Sequence, residues 1–145
     1  GVTLIRGGGH FPGGTMLQGR QATSTGEGTV FFSCDGTQTT FGSVYRVTGR
    51  SASLDVRGWS HALTIDGRDG IPLKTRGVSS KDGVVRSTFA MPSDPVRLAM
   101  SARRIAHRMT PPSHSPSIDV AVDVDESSAL MVRTFLASCL RRPEK

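Results

Sequence analysis

A chain of 145 residues is one domain's worth of sequence, long enough for a two-layer core. Its formal charge is +6, and 15 of its 18 basic residues are arginine. No apolar run approaches the roughly 18 residues of a membrane-crossing helix, which excludes a helical membrane span from expectation.

The first ninety residues read as short strands punctuated by turns. Val2–Ile5, Thr15–Gln18, Thr29–Ser33, Ser43–Thr48, Ser53–Arg57, His61–Ile65 and Val84–Phe89 carry β-branched or aromatic residues that mostly alternate. Between them stand Gly26-Glu27-Gly28, Asp35-Gly36, Thr48-Gly49-Arg50, Asp66-Gly67 and Lys81-Asp82-Gly83. Asp-Gly is the strongest hairpin signal of these, because both residues tolerate a positive φ. Ser43 to Ile71 is expected to form an antiparallel meander, and Ser79-Ser80-Lys81 a polar loop.

After Met91 the pattern changes. Ser93-Asp94-Pro95 suits a helix start. Leu98, Ala102, Ile105 and Met109 then fall on one helical face that Thr110-Pro111-Pro112 would stop. Ser117–Val124 alternates as a strand, with Asp119 and Asp123 on its solvated face. A second helix is expected after Asp125, with Leu130, Met131, Phe135, Leu136 and Leu140 as its apolar stripe and Pro143 beyond its end. The expected class is α/β or α+β: a mostly antiparallel sheet with helices packed on it, two of them in the C-terminal third.

Cys34 and Cys139 lie outside any Cys-x-x-Cys pair, which excludes a zinc ribbon or a thioredoxin-like site. The expectation is a cytoplasmic chain with two reduced, half-buried thiols, a long-loop disulfide being the alternative.

The residues with chemistry to offer begin at the N-terminus. An apolar segment runs into Gly7-Gly8-Gly9-His10-Phe11-Pro12-Gly13-Gly14, a loop that holds one imidazole near its tip. Thr29–Cys34 then ends in Asp35-Gly36, which sets a carboxylate at a sheet rim. An imidazole and a carboxylate at one rim are the start of a metal site.

His10-Phe11-Pro12-Gly13, followed about two dozen residues later by an apolar strand into Asp35, resembles the metallo-β-lactamase-fold hydrolases over residues 1–36. The resemblance implies that His10 is a metal ligand and Asp35 a bridging carboxylate. By the same resemblance His114, in Pro111-Pro112-Ser113-His114-Ser115-Pro116, is a further ligand. One or two zinc ions and a small-molecule substrate follow from it, and Arg6 stands near enough to the loop to bind an anionic substrate. The family's His-x-His-x-Asp-His motif is absent and Cys34 stands where a glycine is usual. On this reading residues 1–145, a single domain, are either the C-terminal part of a larger fold or a diverged relative of it.

Two rival readings come from other classes. One is a small basic β-rich module that binds a polyanion, nucleic acid included, or a protein without catalysis. The other is an oligomerising domain whose contact is the stripe from Leu130 to Leu140. His61, next to Ser60 and Trp59, is expected in a core or cross-strand role, and His107 on the surface of the first helix.

Overall fold

The computed structural model describes residues 2–6, 15–22, 26–35, 38–47, 55–68, 70–113 and 116–140. Ten strands and two helices follow in the order β1 (Val2–Arg6), β2 (Thr15–Ala22), β3 (Gly26–Asp35), β4 (Gln38–Val47), β5 (Ser60–Ile65), β6 (Ile71–Pro72), β7 (Thr75–Lys81), β8 (Val84–Met91), α1 (Ser93–Ala99), β9 (Arg104–Thr110), β10 (Ile118–Asp123) and α2 (Glu126–Leu140). A six-stranded sheet has the order β1-β2-β3-β4-β8-β7, and a four-stranded sheet the order β10-β9-β5-β6. Every strand pairing within them is antiparallel. The α+β class holds.

The sheets face each other across one apolar core. Leu17, Val30, Phe32, Phe41, Val85 and Phe89 come from the six-stranded sheet, and Leu63, Ile105, Met109, Val120 and Val122 from the four-stranded one. Two glycines let the layers approach closely. A Cβ at Gly19 would collide with the Val122 side chain, and one at Gly28 with Val120. The Asp-Gly turns behave as the sequence suggests: Asp66 and Gly67, and Asp82 and Gly83, all have positive φ.

Helix α2 lies against α1 and β1. Asp125 caps it, with Oδ1 accepting the backbone N–H of Ser128 at 2.9 Å. Its buried residues are Ser128, Val132, Phe135, Leu136 and Cys139, while Leu130 is 70% exposed. Phe135 and Leu136, expected to serve an oligomer contact, are spent on the chain's own core.

Five expectations need correction. The first helix stops at Ala99; Arg104–Thr110 is a strand held on both sides, by β5 and β10. Residues 105, 107 and 109 alternate inward, and long-range pairing overrides the helical spacing of Leu98, Ala102, Ile105 and Met109. Only α2 therefore lies wholly in the C-terminal third. Ser43 to Ile71 is no meander, because β4 pairs with β3 and β8 while β5 pairs with β6 and β9 in the other sheet. Ser79-Ser80-Lys81 belongs to β7, and Asp55–Arg57 is not strand. The cysteines are not free thiols: Cys34 and Cys139 form a disulfide with a Cα–Cα distance of 5.7 Å, tying the end of β3 to the end of α2.

Candidate functional site

Alternation along the strands gives each sheet an outer face turned from the core. On the six-stranded sheet that face carries Arg20 on β2, Arg46 on β4, Arg86 on β8 and Lys81 on β7, all exposed. The register gathers them. Arg46 stands opposite Val84, and Arg86 opposite Val44, so the two arginines are diagonal neighbours on adjacent strands. Lys81 also stands opposite Val84, from the other side. Arg86 is thus a diagonal neighbour of both Arg46 and Lys81 at about 7–8 Å between Cβ atoms, and Arg46 and Lys81 are about 10 Å apart, two strand spacings, close enough for the heads to share one anionic chain.

Arg76 joins this face from β7, donating to Gln38 Oε1 at 2.6 Å and to Thr40 Oγ1 at 3.3 Å. The described carboxylates nearby are Glu27, which is ion-paired to Arg20, and Asp82 in the β7–β8 turn. Beneath the cations the sheet is smooth: Phe31 is only 8% exposed and its ring fills the space a Cβ at Gly42 would need.

The outer face of the four-stranded sheet has the same residue type in a different setting. Arg108 Nε donates to Asp119 Oδ1 at 2.8 Å, and its Nη2 to Oδ2 at 3.1 Å. Arg104 donates to Asp123 at 2.8 Å. Each pair joins residues directly opposite in the β9–β10 register, so this face is neutralised in place.

Between the sheets lies a buried polar chain. His107 is fully buried; its Nδ1 is 2.6 Å from Ser43 Oγ, and its Nε2 is 2.9 Å from His61 Nδ1. Phe89 and Phe41 meet the His107 ring edge-on, at 4.9 and 6.4 Å between centroids. Burial, reinforced by His61, pushes the His107 imidazole down to about 3, and Asp119 opposes that weakly. Burial also lowers His61.

A hydroxyl bonded to an imidazole is the pairing of nucleophilic enzymes. Here the Ser43 residue is 1% exposed. The described grooves open elsewhere: one of about 340 Å³, lined by residues including Met100, Arg103, Glu126 and Arg133, and one of about 10 Å³ among Val2, Leu17 and Val132. Among the described residues, neither groove is lined by Ser43 or His107.

The expected metal residues fare unevenly. His10 and His114 lie outside the described residues, as do the side chains of Arg6 and Asp35. The backbone places the strands that carry the last two. Arg6 pairs with Thr15, and Met16 with Ser33, so β1 ends beside the end of β3 at one rim. Strand β10 starts at the other end. Val120 sits over Gly28 and Val122 over Gly19, the partner of Val30, so β10 runs toward the Asp35 end and begins far from it. Among the described residues, no three His, Cys, Asp or Glu side chains gather as a metal would require.

Sequence reasoning missed two features. His107 was hidden by the helical spacing of its neighbours, although Arg104-Ile105-Ala106-His107-Arg108-Met109 also alternates with period two. The basic face was hidden because Arg20, Arg46, Lys81 and Arg86 are dispersed in sequence and meet only through register.

Scans against family models, curated proteins and solved structures found no match to this chain.

Proposed function

We propose that this chain is a non-catalytic binding module whose six-stranded sheet docks an anionic polysaccharide through Arg46, Arg76, Arg86 and Lys81. The observation that carries the reading is the charge imbalance of one face: cations clustered by register, with little carboxylate among the described residues to neutralise them. Polysaccharide is favoured over nucleic acid on two grounds. Among the described residues this face has no exposed aromatic ring on which bases could stack. The Cys34–Cys139 bond favours an oxidising compartment over the cytosol and nucleus, where nucleic acid is concentrated. No described helix is long and apolar enough to cross a membrane.

The test is retention on immobilised sulfated polysaccharide beside a DNA resin of matched charge density. Elution from the polysaccharide at higher salt than from DNA, lost in an Arg46→Gln/Arg86→Gln/Lys81→Gln variant, supports the reading. Stronger retention on DNA overturns the polysaccharide assignment, and unchanged retention of the variant overturns the face.

A second reading, a zinc-dependent hydrolase that uses His10 and Asp35, keeps one specific support: the strands ending at Arg6 and Asp35 share a rim. The described residues do not complete a donor set for it. Metal analysis of protein purified without chelator, repeated on His10→Ala, decides this. Bound metal lost in the variant supports the hydrolase, and equal metal content in both removes it.

A further inference from the structure

The buried chain between the sheets is not needed for docking on an outer face, yet it is built with care. His61 comes from β5, His107 from β9, Ser43 from β4 and Ser87 from β8, so the chain spans both sheets. Ser43 and Ser87 are cross-strand partners, and both point inward at 1% exposure. Among the described residues, the Ser87 hydroxyl is the buried side-chain oxygen with no hydrogen-bond partner. An orphaned buried hydroxyl loses its hydration without a replacement, so its presence beside a paired serine asks for an explanation.

Tautomer chemistry supplies one. Each imidazole nitrogen either donates or accepts, and a neutral ring does one of each. In one direction Ser43 Oγ–H donates to His107 Nδ1, and His107 Nε2–H donates to His61 Nδ1. In the other direction His61 Nδ1–H donates to His107 Nε2, and His107 Nδ1–H donates to Ser43 Oγ. The Ser43 hydroxyl proton is then released and needs an acceptor. Ser87 Oγ, on the residue directly opposite Ser43 and without a partner of its own, becomes that acceptor once its side chain turns toward Ser43.

We infer that Ser43, His107, His61 and Ser87 form a proton-operated latch between the sheets, whose hydrogen bonds reverse direction when His61 takes up a proton. A cationic His61 carries hydrogen on both ring nitrogens, so its Nδ1 must donate and the second direction is enforced. The chain gains one proton, His107 stays neutral, and Ser87 becomes satisfied. His61 is the entry point because it is only half-buried, whereas His107 is sealed.

A second proton, on His107, has no place in this arrangement. Both of its nitrogens would donate toward groups already donating or cationic, under Phe41 and Phe89. The charged and titratable neighbours are His61 from β5 and, from β10, Asp119, whose carboxylate is engaged by Arg108 on the outer face. The strands β4 and β8 contribute hydroxyls and rings to the cluster. The latch thus holds through a first protonation and fails with a second.

Nitrogen-15 spectra of the histidine rings, recorded on the intact protein against pH, test this. The latch predicts that His61 titrates below its ordinary range. At that same midpoint His107 Nδ1 should change from unprotonated to protonated while the ring stays neutral. His107 becoming cationic together with His61, or keeping one tautomer throughout, overturns it. Ser87→Ala, a near-isosteric change, removes the terminal acceptor. It is expected to lower the His61 midpoint by roughly half a pH unit, the worth of one lost neutral hydrogen bond. An unchanged midpoint in that variant overturns the role of Ser87.

Discussion

The outer faces of the two sheets use the same side chain to opposite ends. On the four-stranded sheet Arg104 and Arg108 each stand opposite an aspartate, at 2.8 Å, and their charge is consumed locally. On the six-stranded sheet Arg86 stands between Val44 and Ser79, and Arg46 between Val84 and Glu27, a single carboxylate that is already ion-paired to Arg20. Residue type does not separate these faces. The count of carboxylates in register does: Arg104 and Arg108 have one aspartate each, whereas Arg46 faces a Glu27 already paired to Arg20, and Arg86 faces none. Exposed pairs contribute little stability, about 0–1 kcal/mol, so the four-stranded face is better seen as a surface kept free of net charge than as a clamp.

That contrast can be broken or sharpened in several ways. The largest effect should fall on both faces alike. Opening the Cys34–Cys139 bond by Cys34→Ser/Cys139→Ser releases a loop of 105 residues. It should cost roughly 4 kcal/mol of stability, measured by urea unfolding, with any loss of binding following unfolding alone. A variant that stays folded at the assay temperature yet loses binding would show that the staple shapes the face directly.

Next is the contact between the layers. Gly28→Ala places a methyl against Val120 and should cost about 1–3 kcal/mol by overpacking without altering the charge of either face. A neutral result would mean that the sheets separate easily. Replacing Arg46, Arg86 and Lys81 by Gln should weaken polyanion binding roughly tenfold or more at low salt while stability stays within about 0.5 kcal/mol. The same change at Arg104 and Arg108 should move binding less than about twofold, because their charge is already spent.

The last effect appears only in acid, as a slope of stability with pH. His107 is depressed in the folded state to about 3, against about 6.5 when unfolded, so the unfolded chain binds protons first. The stability this group contributes is whole above about pH 6.5 and is lost as pH falls from there toward about 3. Thermal melting against pH should show this acid limb, and His107→Gln should flatten it. Polyanion binding above pH 6.5 should be unaffected by that variant.

Local chemistry was readable in the sequence wherever it was decided locally. Asp66-Gly67 and Asp82-Gly83 make their turns because a positive φ is a property of those residues. Ile118–Asp123 alternates as a half-buried strand must, and Asp125 announces α2. What depends on distant partners was not readable. Ile105 and Met109 suit a helix face and a strand face equally, and pairing with β5 and β10 decides between them. Cys34 and Cys139 look like isolated thiols until the fold brings the end of α2 to the end of β3. His10 and His114 lie outside the described residues, so the metal loop stays a matter of resemblance.

The most direct measurement is the affinity for a sulfated polysaccharide as a function of salt, for the unaltered protein and for the two sets of Gln variants. The account predicts a steep negative slope of log K against log salt. That slope should become shallower by about one for each of Arg46, Arg86 and Lys81 replaced, and stay unchanged on loss of Arg104 and Arg108. Equal slopes for all proteins, or a greater loss from the four-stranded sheet, would contradict it.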